Sequence, residues 1–186
     1  MNILLLGIGN ILFGDEGIGP HLVNLIDNKY KFASPEHTLD IIDGGTLAQR
    51  LIPIITEYDK VILVDCVNVD EGKVGDVYTF SFDDVPNYIT WNGSAHEVEM
   101  LQTLQMIEMI GDLPPVQIVG VIPYVIGENS TFSMTPEVIE ASKLMERVIL
   151  DQLSKIGFDY EQKKDIEITD IVEHTYLKGT QYDTTV

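Results

Sequence analysis

The stretch Ile3-Leu4-Leu5-Leu6-Gly7-Ile8-Gly9-Asn10-Ile11-Leu12-Phe13-Gly14-Asp15-Glu16-Gly17-Ile18-Gly19 decides the fold. An apolar run of strand length enters Gly7-x-Gly9, and two adjacent acids, Asp15 and Glu16, follow where a helix should begin. Glycines at such a turn suggest a nucleotide-binding loop. The acids argue against it, because the unbonded N–H groups and positive dipole end of a helix N-terminus attract anions. A carboxylate pair fixed there would fill that position and repel a pyrophosphate, so a cation, or a group carrying one, is the better-matched ligand. The dinucleotide fingerprint also fails in its spacing. Leu12 stands where the third glycine belongs, which leaves the helix–strand packing role unfilled, and the loop from Gly9 to Gly17 is too long for a helix starting at the second glycine. The plain alternative is that these glycines only turn the chain after a first parallel strand.

Outward from this stretch, strand-like and helix-like segments alternate. Residues 2–8 predict a strand and 17–28 a helix, with Pro20 tolerable in its opening turn. A strand over 38–43 leads into Gly44-Gly45 and a helix over 46–58, which Pro53 should kink or divide. Residues 60–67, rich in Val and Ile, predict a central strand buried on both faces. Residues 75–82 predict an antiparallel or edge strand, because Gly72-Lys73 before them allows only a short turn. Ser94 and Glu97 form a capping box that opens a helix over 94–111. A strand over 116–122 and a long helix from Thr135-Pro136-Glu137 to Gly157 complete the body. The expectation is one domain over residues 1–157, an α/β fold of three layers, with a twisted, mostly parallel sheet and helices on both faces. Residues 158–186 predict an acidic C-terminal tail with one short element around 165–173.

Composition narrows the function classes. A net charge of −19 opposes nucleic-acid binding and anionic membrane surfaces. The single cysteine, Cys66, rules out an intrachain disulfide and a thiolate zinc site. No leader-like segment precedes the first strand and no apolar run reaches membrane-spanning length, so a cytoplasmic protein is expected, as a monomer.

Right-handed crossovers place every strand-to-helix loop on one edge of the sheet, where such folds bind ligands. Three metal-capable side chains fall there: Glu16 after the first strand, Asp65 ending the third, and His96 in the first turn of the helix opened by Ser94. A helix N-terminus favours neutral imidazole, the form that ligates metal. An O,O,N set suits Zn, Ni or Mn and leaves coordination positions open for chemistry. Each residue also has a plain structural reading: a first-turn acid, a loop-capping acid and a solvated histidine. Asp43, in Asp43-Gly44-Gly45-Thr46, is a fourth acid on the same edge, where two glycines permit close approach by a bound chain. Its plain reading is a strand-ending acid before a capping Thr46. His21 reads as a helix-surface residue, and Cys66 as a small buried apolar one.

The blocks Gly7-x-Gly9-Asn10 with Gly14-Asp15-Glu16-Gly17-Ile18-Gly19, Asp43-Gly44-Gly45-Thr46, Val64-Asp65-Cys66-Val67 and Ser94-Ala95-His96-Glu97 resemble the nickel–iron hydrogenase maturation endopeptidases, in the same order and over about residues 1–156. The resemblance implies an enzyme that cleaves a short C-terminal extension from the large-subunit precursor once nickel has been inserted. It also implies that Glu16, Asp65 and His96 contact the metal, with nickel supplied by the precursor, and that Asp43 takes part in cleavage. The acidic run after His96 and the extended tail depart from the family pattern and bear on substrate choice. No Ser/His/Asp elbow, Cys/His pair or His-Glu-x-x-His helix offers another hydrolytic site. A same-family protease with another precursor, a nucleotide-binding α/β protein and a non-enzymatic binding module are the alternatives.

Overall fold

The computed structural model describes residues 1–46, 48–84, 89–90, 95–124 and 131–181, with backbone alone at 89–90, 95–99 and 178–181. β1 (Asn2–Ile8) is followed by a 3-10 turn, Gly14–Gly17, which runs into α1 (Ile18–Lys29). Then come β2 (Tyr30–Ala33), β3 (Thr38–Gly45), a 3-10 turn at Ala48–Leu51, α2 (Ile52–Ile55) and β4 (Lys60–Cys66). β5 (Asn68–Val69), β6 (Val77–Ser81) and β7 (Ile89–Thr90) precede α3 (Ala95–Ile110) and β8 (Val116–Val121). α4 (Pro136–Ile156), β9 (Asp159–Gln162) and α5 (Ile168–Gln181) close the chain.

The main sheet has the order β3-β1-β4-β8-β6, with the first four strands parallel and β6 antiparallel on the edge. The strands are apolar on both sides because both are covered. Ile3, Leu5, Ile62, Val64 and Val119 pack beneath α1 and α4, while Leu4, Leu6, Val61, Leu63 and Ile118 pack beneath α2 and α3. Burying each such side chain contributes about 1.5–3 kcal/mol. The three-layer α/β expectation therefore holds, including the edge position of residues 77–81. Among the described residues no helix is long and apolar enough to cross a membrane.

Three expectations change. The packing role left unfilled at Leu12 is taken by Gly19, where a Cβ would collide with the carbonyl oxygens of Ile8 and Val64. Backbone contact between α1 and the sheet thus rests on Gly7 and Gly19. The single helix expected over 46–58 is two short pieces, because Pro53 lacks an N–H and is accommodated only in the first turn of a new helix, α2.

The segment after Gly157 is the third. Instead of a solvated tail over the described residues, β9 pairs antiparallel with β2, Tyr30 meets Tyr160 edge-on at 5.5 Å, and α5 extends to Gln181. Ile168 is 2 % exposed within the core beneath α1 and α4. The acidic surface of 158–167 hides a four-residue strand too short to register as a periodicity.

Candidate active site

The loop from Gly9 to Gly17 is built mainly from its own backbone. Gly9 donates to the Gly45 carbonyl (3.0 Å), Asn10 N–H to the Glu16 carbonyl (3.1 Å), and Phe13 N–H to the Asn10 carbonyl (3.1 Å). Gly9 has φ 146° and a Cβ there would strike the Glu16 carbonyl, so the turn requires glycine.

The two acids on this loop do not form a pair facing one ligand. Asp15 is fully buried and turns toward α4: its carboxylate accepts from Thr135 N–H (2.7 Å), Thr135 O–H (2.8 Å) and Tyr124 N–H (3.0 Å). Thr135 in turn caps α4 by accepting from Val138 N–H. Glu16 stays partly exposed. The expected cation-attracting carboxylate pair is therefore one anchoring acid and one acid at the surface of the loop.

Asp65 is 2 % exposed at the end of β4, and its Oδ1 accepts from Cys66 N–H at 2.7 Å. It falls on the side of β4 that carries Val61 and Leu63, under Met100, Leu104 and Ile107 of α3. The Cys66 thiol on the opposite side donates to the Asp15 carbonyl at 3.4 Å, which ties the Glu16 loop to the strand bearing Asp65. His96 is the second residue of α3, so its backbone lies over the same face as Asp65. Its side chain lies outside the described residues, as do Ser94 and with it the expected capping box. Among the described residues no three His, Cys, Asp or Glu side chains gather as a metal-holding group.

Asp43 is exposed near the end of β3. Its Oδ1 accepts from Gly45 N–H at 3.0 Å and its Oδ2 from Asn24 Nδ2 at 3.2 Å. It lines a groove of about 370 Å³ with Asn10, Leu12, Pro20 and Thr46. Asn24 reaches it from α1, so Asp43 and Asp65 share the carboxyl edge of the sheet but lie toward opposite faces, with β1 between their strands.

His21 departs from its surface reading. It is 1 % exposed, and its Nε2 has no hydrogen-bond partner among the described residues. Burial pulls its pKa down to about 4, against the opposing charge of Asp43, so the ring is neutral near pH 7. The signal was present in the spacing: Ile18, His21, Leu22 and Leu25 fall on one helical stripe, and the other three are core residues. The Asp15–Thr135 anchor joins residues 120 apart and had no local signature beyond the threonine cap.

The edge as built offers acids, backbone polar groups and the groove beside Asp43. Cys66 is buried and engaged with Asp15, so it supplies no exposed nucleophile. Residues 20–152 match the family model described as hydrogenase maturation protease. The chain is 54 % identical over 156 residues to Protein HydD of Wolinella succinogenes, spanning 84 % of this chain and 98 % of that one. It is 32 % identical over 124 residues to the Hydrogenase 2 maturation protease of Escherichia coli, spanning 66 % and 74 %. Its fold matches the hydrogenase maturating endopeptidase HybD from E. coli with a TM-score of 0.75 at 25 % identity, over 88 % of this chain and 98 % of that one. With its model matched from α1 through most of α4, the chain belongs to the hydrogenase maturation protease family.

Proposed function

We propose that this protease removes a short C-terminal extension from the nickel-loaded precursor of a nickel–iron hydrogenase large subunit. The observation that carries this reading is the fastening of the Glu16 loop to the end of β4, through the Cys66 thiol and the Asp15 carbonyl, at the edge that also bears Asp43. Glu16 and Asp65, with His96 from the first turn of α3, are the residues that would contact nickel carried in by the precursor. Their O,O,N donors suit that ion, and three donors without a thiolate give exchangeable contact rather than a closed structural site.

Nickel held beside the scissile peptide supplies Lewis acidity to its carbonyl or to a water. Asp43, held by Gly45 and Asn24, keeps its carboxylate fixed and exposed to the groove, where it can orient an attacking water and accept its proton. The groove beside it accommodates an extended chain end. Without the metal nothing polarises the carbonyl, so ordinary peptides should be left intact and cleavage becomes a checkpoint for nickel loading. Such an enzyme would work in the cytoplasm, as a monomer.

The test is mass spectrometry of nickel-loaded and nickel-free precursor, each mixed with metal-stripped protein. Loss of the extension from the loaded form alone is the expected result. Equal cleavage of both forms would overturn the reading.

A further inference from the structure

We propose that Asp15 is the positioning residue of the site, holding Glu16 in register with Asp65 without touching substrate. This rests on the endopeptidase reading and adds to it the residue on which the metal-contacting geometry depends.

A fully buried carboxylate is costly unless its oxygens are satisfied. Asp15 meets that demand with three donors from two separate segments, Tyr124 N–H just after β8 and the N–H and O–H of Thr135 at the start of α4. Among the described residues it has no cationic partner. The positive end of the 21-residue α4 favours the charge there, and no neutral side chain would keep all three donors.

The same loop is stitched to Thr131 on either side of residue 13, by Gly14 N–H to the Thr131 carbonyl (2.6 Å) and Thr131 N–H to the Leu12 carbonyl (2.9 Å). The Asp15 carbonyl accepts from Cys66, the neighbour of Asp65. Asp15 therefore joins three elements: the Glu16 loop, the end of β4 and the start of α4. Glu16 follows immediately, and its own carbonyl is held by Asn10. Its Cα is clamped from both sides, and the clamp on the Asp15 side depends on one carboxylate. In Asp15→Asn an amide NH₂ faces at least one N–H or O–H donor, so one arm of the clamp must open.

Asp15→Asn and Thr135→Ser, made in the full chain, separate positioning from folding. Thermal midpoint, the Kd for Ni²⁺ alone by calorimetry, and kcat and KM on nickel-loaded precursor are measured for each. Asp15→Asn should raise the Ni²⁺ Kd and lower kcat, each by about tenfold, with KM little changed, as loss of a group that orients a metal ligand does. Thr135→Ser keeps the hydroxyl and the N–H and should match the parent in Kd and kcat. If Asp15→Asn does not fold, Thr135→Ala, which removes one of the three donors, should shift both by about threefold. A folded Asp15→Asn protein with parental Kd and kcat, whatever its thermal midpoint, overturns the proposal. Failure of the endopeptidase reading is seen separately, as parent protein that leaves nickel-loaded precursor whole.

Discussion

Replacing His21 with leucine should remove a pH dependence of stability from this protein. The folded ring has a pKa of about 4, driven by burial, while an unfolded histidine titrates near 6.5. Between those values the unfolded chain binds a proton that the folded chain does not, so stability falls as pH falls. The penalty is absent above about pH 7, reaches about 2 kcal/mol at pH 5 and levels off near 3 kcal/mol below pH 4. Asp43 is the charged group acting on the ring, and it already opposes the shift, so its effect is contained in the folded value. Other groups titrate over the same range, and the net charge of −19 shrinks with added acid, which relieves self-repulsion. The difference between parent and variant is therefore the quantity to read. Urea unfolding followed by circular dichroism at pH 7.5, 6.5, 5.5 and 5.0 should show the stability of the variant relative to the parent rising by about 2 kcal/mol toward acid. Parallel curves across that range would show that the folded ring is readily protonated and would refute the burial argument.

Asp43→Asn should leave the unfolding midpoint unchanged, since an amide oxygen can still accept from Gly45 N–H, while the initial rate of precursor shortening drops on the order of 100-fold. His96→Ala should abolish cleavage with no change in circular dichroism, because alanine is the strongest helix former and keeps the first turn of α3. Glu146→Ala should cost about 3–5 kcal/mol in urea unfolding, because Lys29, buried and 3.1 Å from the lost carboxylate, keeps only the exposed Glu167 at 4.0 Å. The double replacement Lys29→Met with Glu146→Leu should recover most of that loss, and failure to do so would assign the pair a role beyond charge neutralisation.

The layers were legible because the strands announce themselves. Asn2–Ile8 and Lys60–Cys66 are apolar on both sides, and such runs fit only the middle of a covered parallel sheet. The carboxyl edge followed from chain order alone, and with it the common location of Glu16, Asp43 and Asp65. The direction of each side chain did not follow. Asp15 and Glu16 are neighbours in sequence, yet one is consumed by α4, whose start lies 120 residues away. β2 and β9 leave no periodicity in the sequence because each has four residues, and their pairing lies between distant segments. His21 differs from its surface expectation because its position on the apolar stripe of Ile18, Leu22 and Leu25 outweighs the polarity of its ring.

Asp43 aligns with Gly7 of β1, and Gly7 aligns on its other side with Val64, the residue before Asp65. Two strand spacings thus separate the acid assigned to cleavage from the acid assigned to nickel, or about 10 Å at the usual 4.8 Å between strands. An extended chain advances about 3.3 Å per residue. About three extended residues would cover that gap, so a precursor that engages both acids must lie crosswise over the tip of β1, with the scissile bond beside the nickel and within reach of the Asp43 carboxylate. The sheet itself is then the measuring rod for the reaction. Its graduations are backbone hydrogen bonds, which substitutions in the side chains of the edge would leave unmoved.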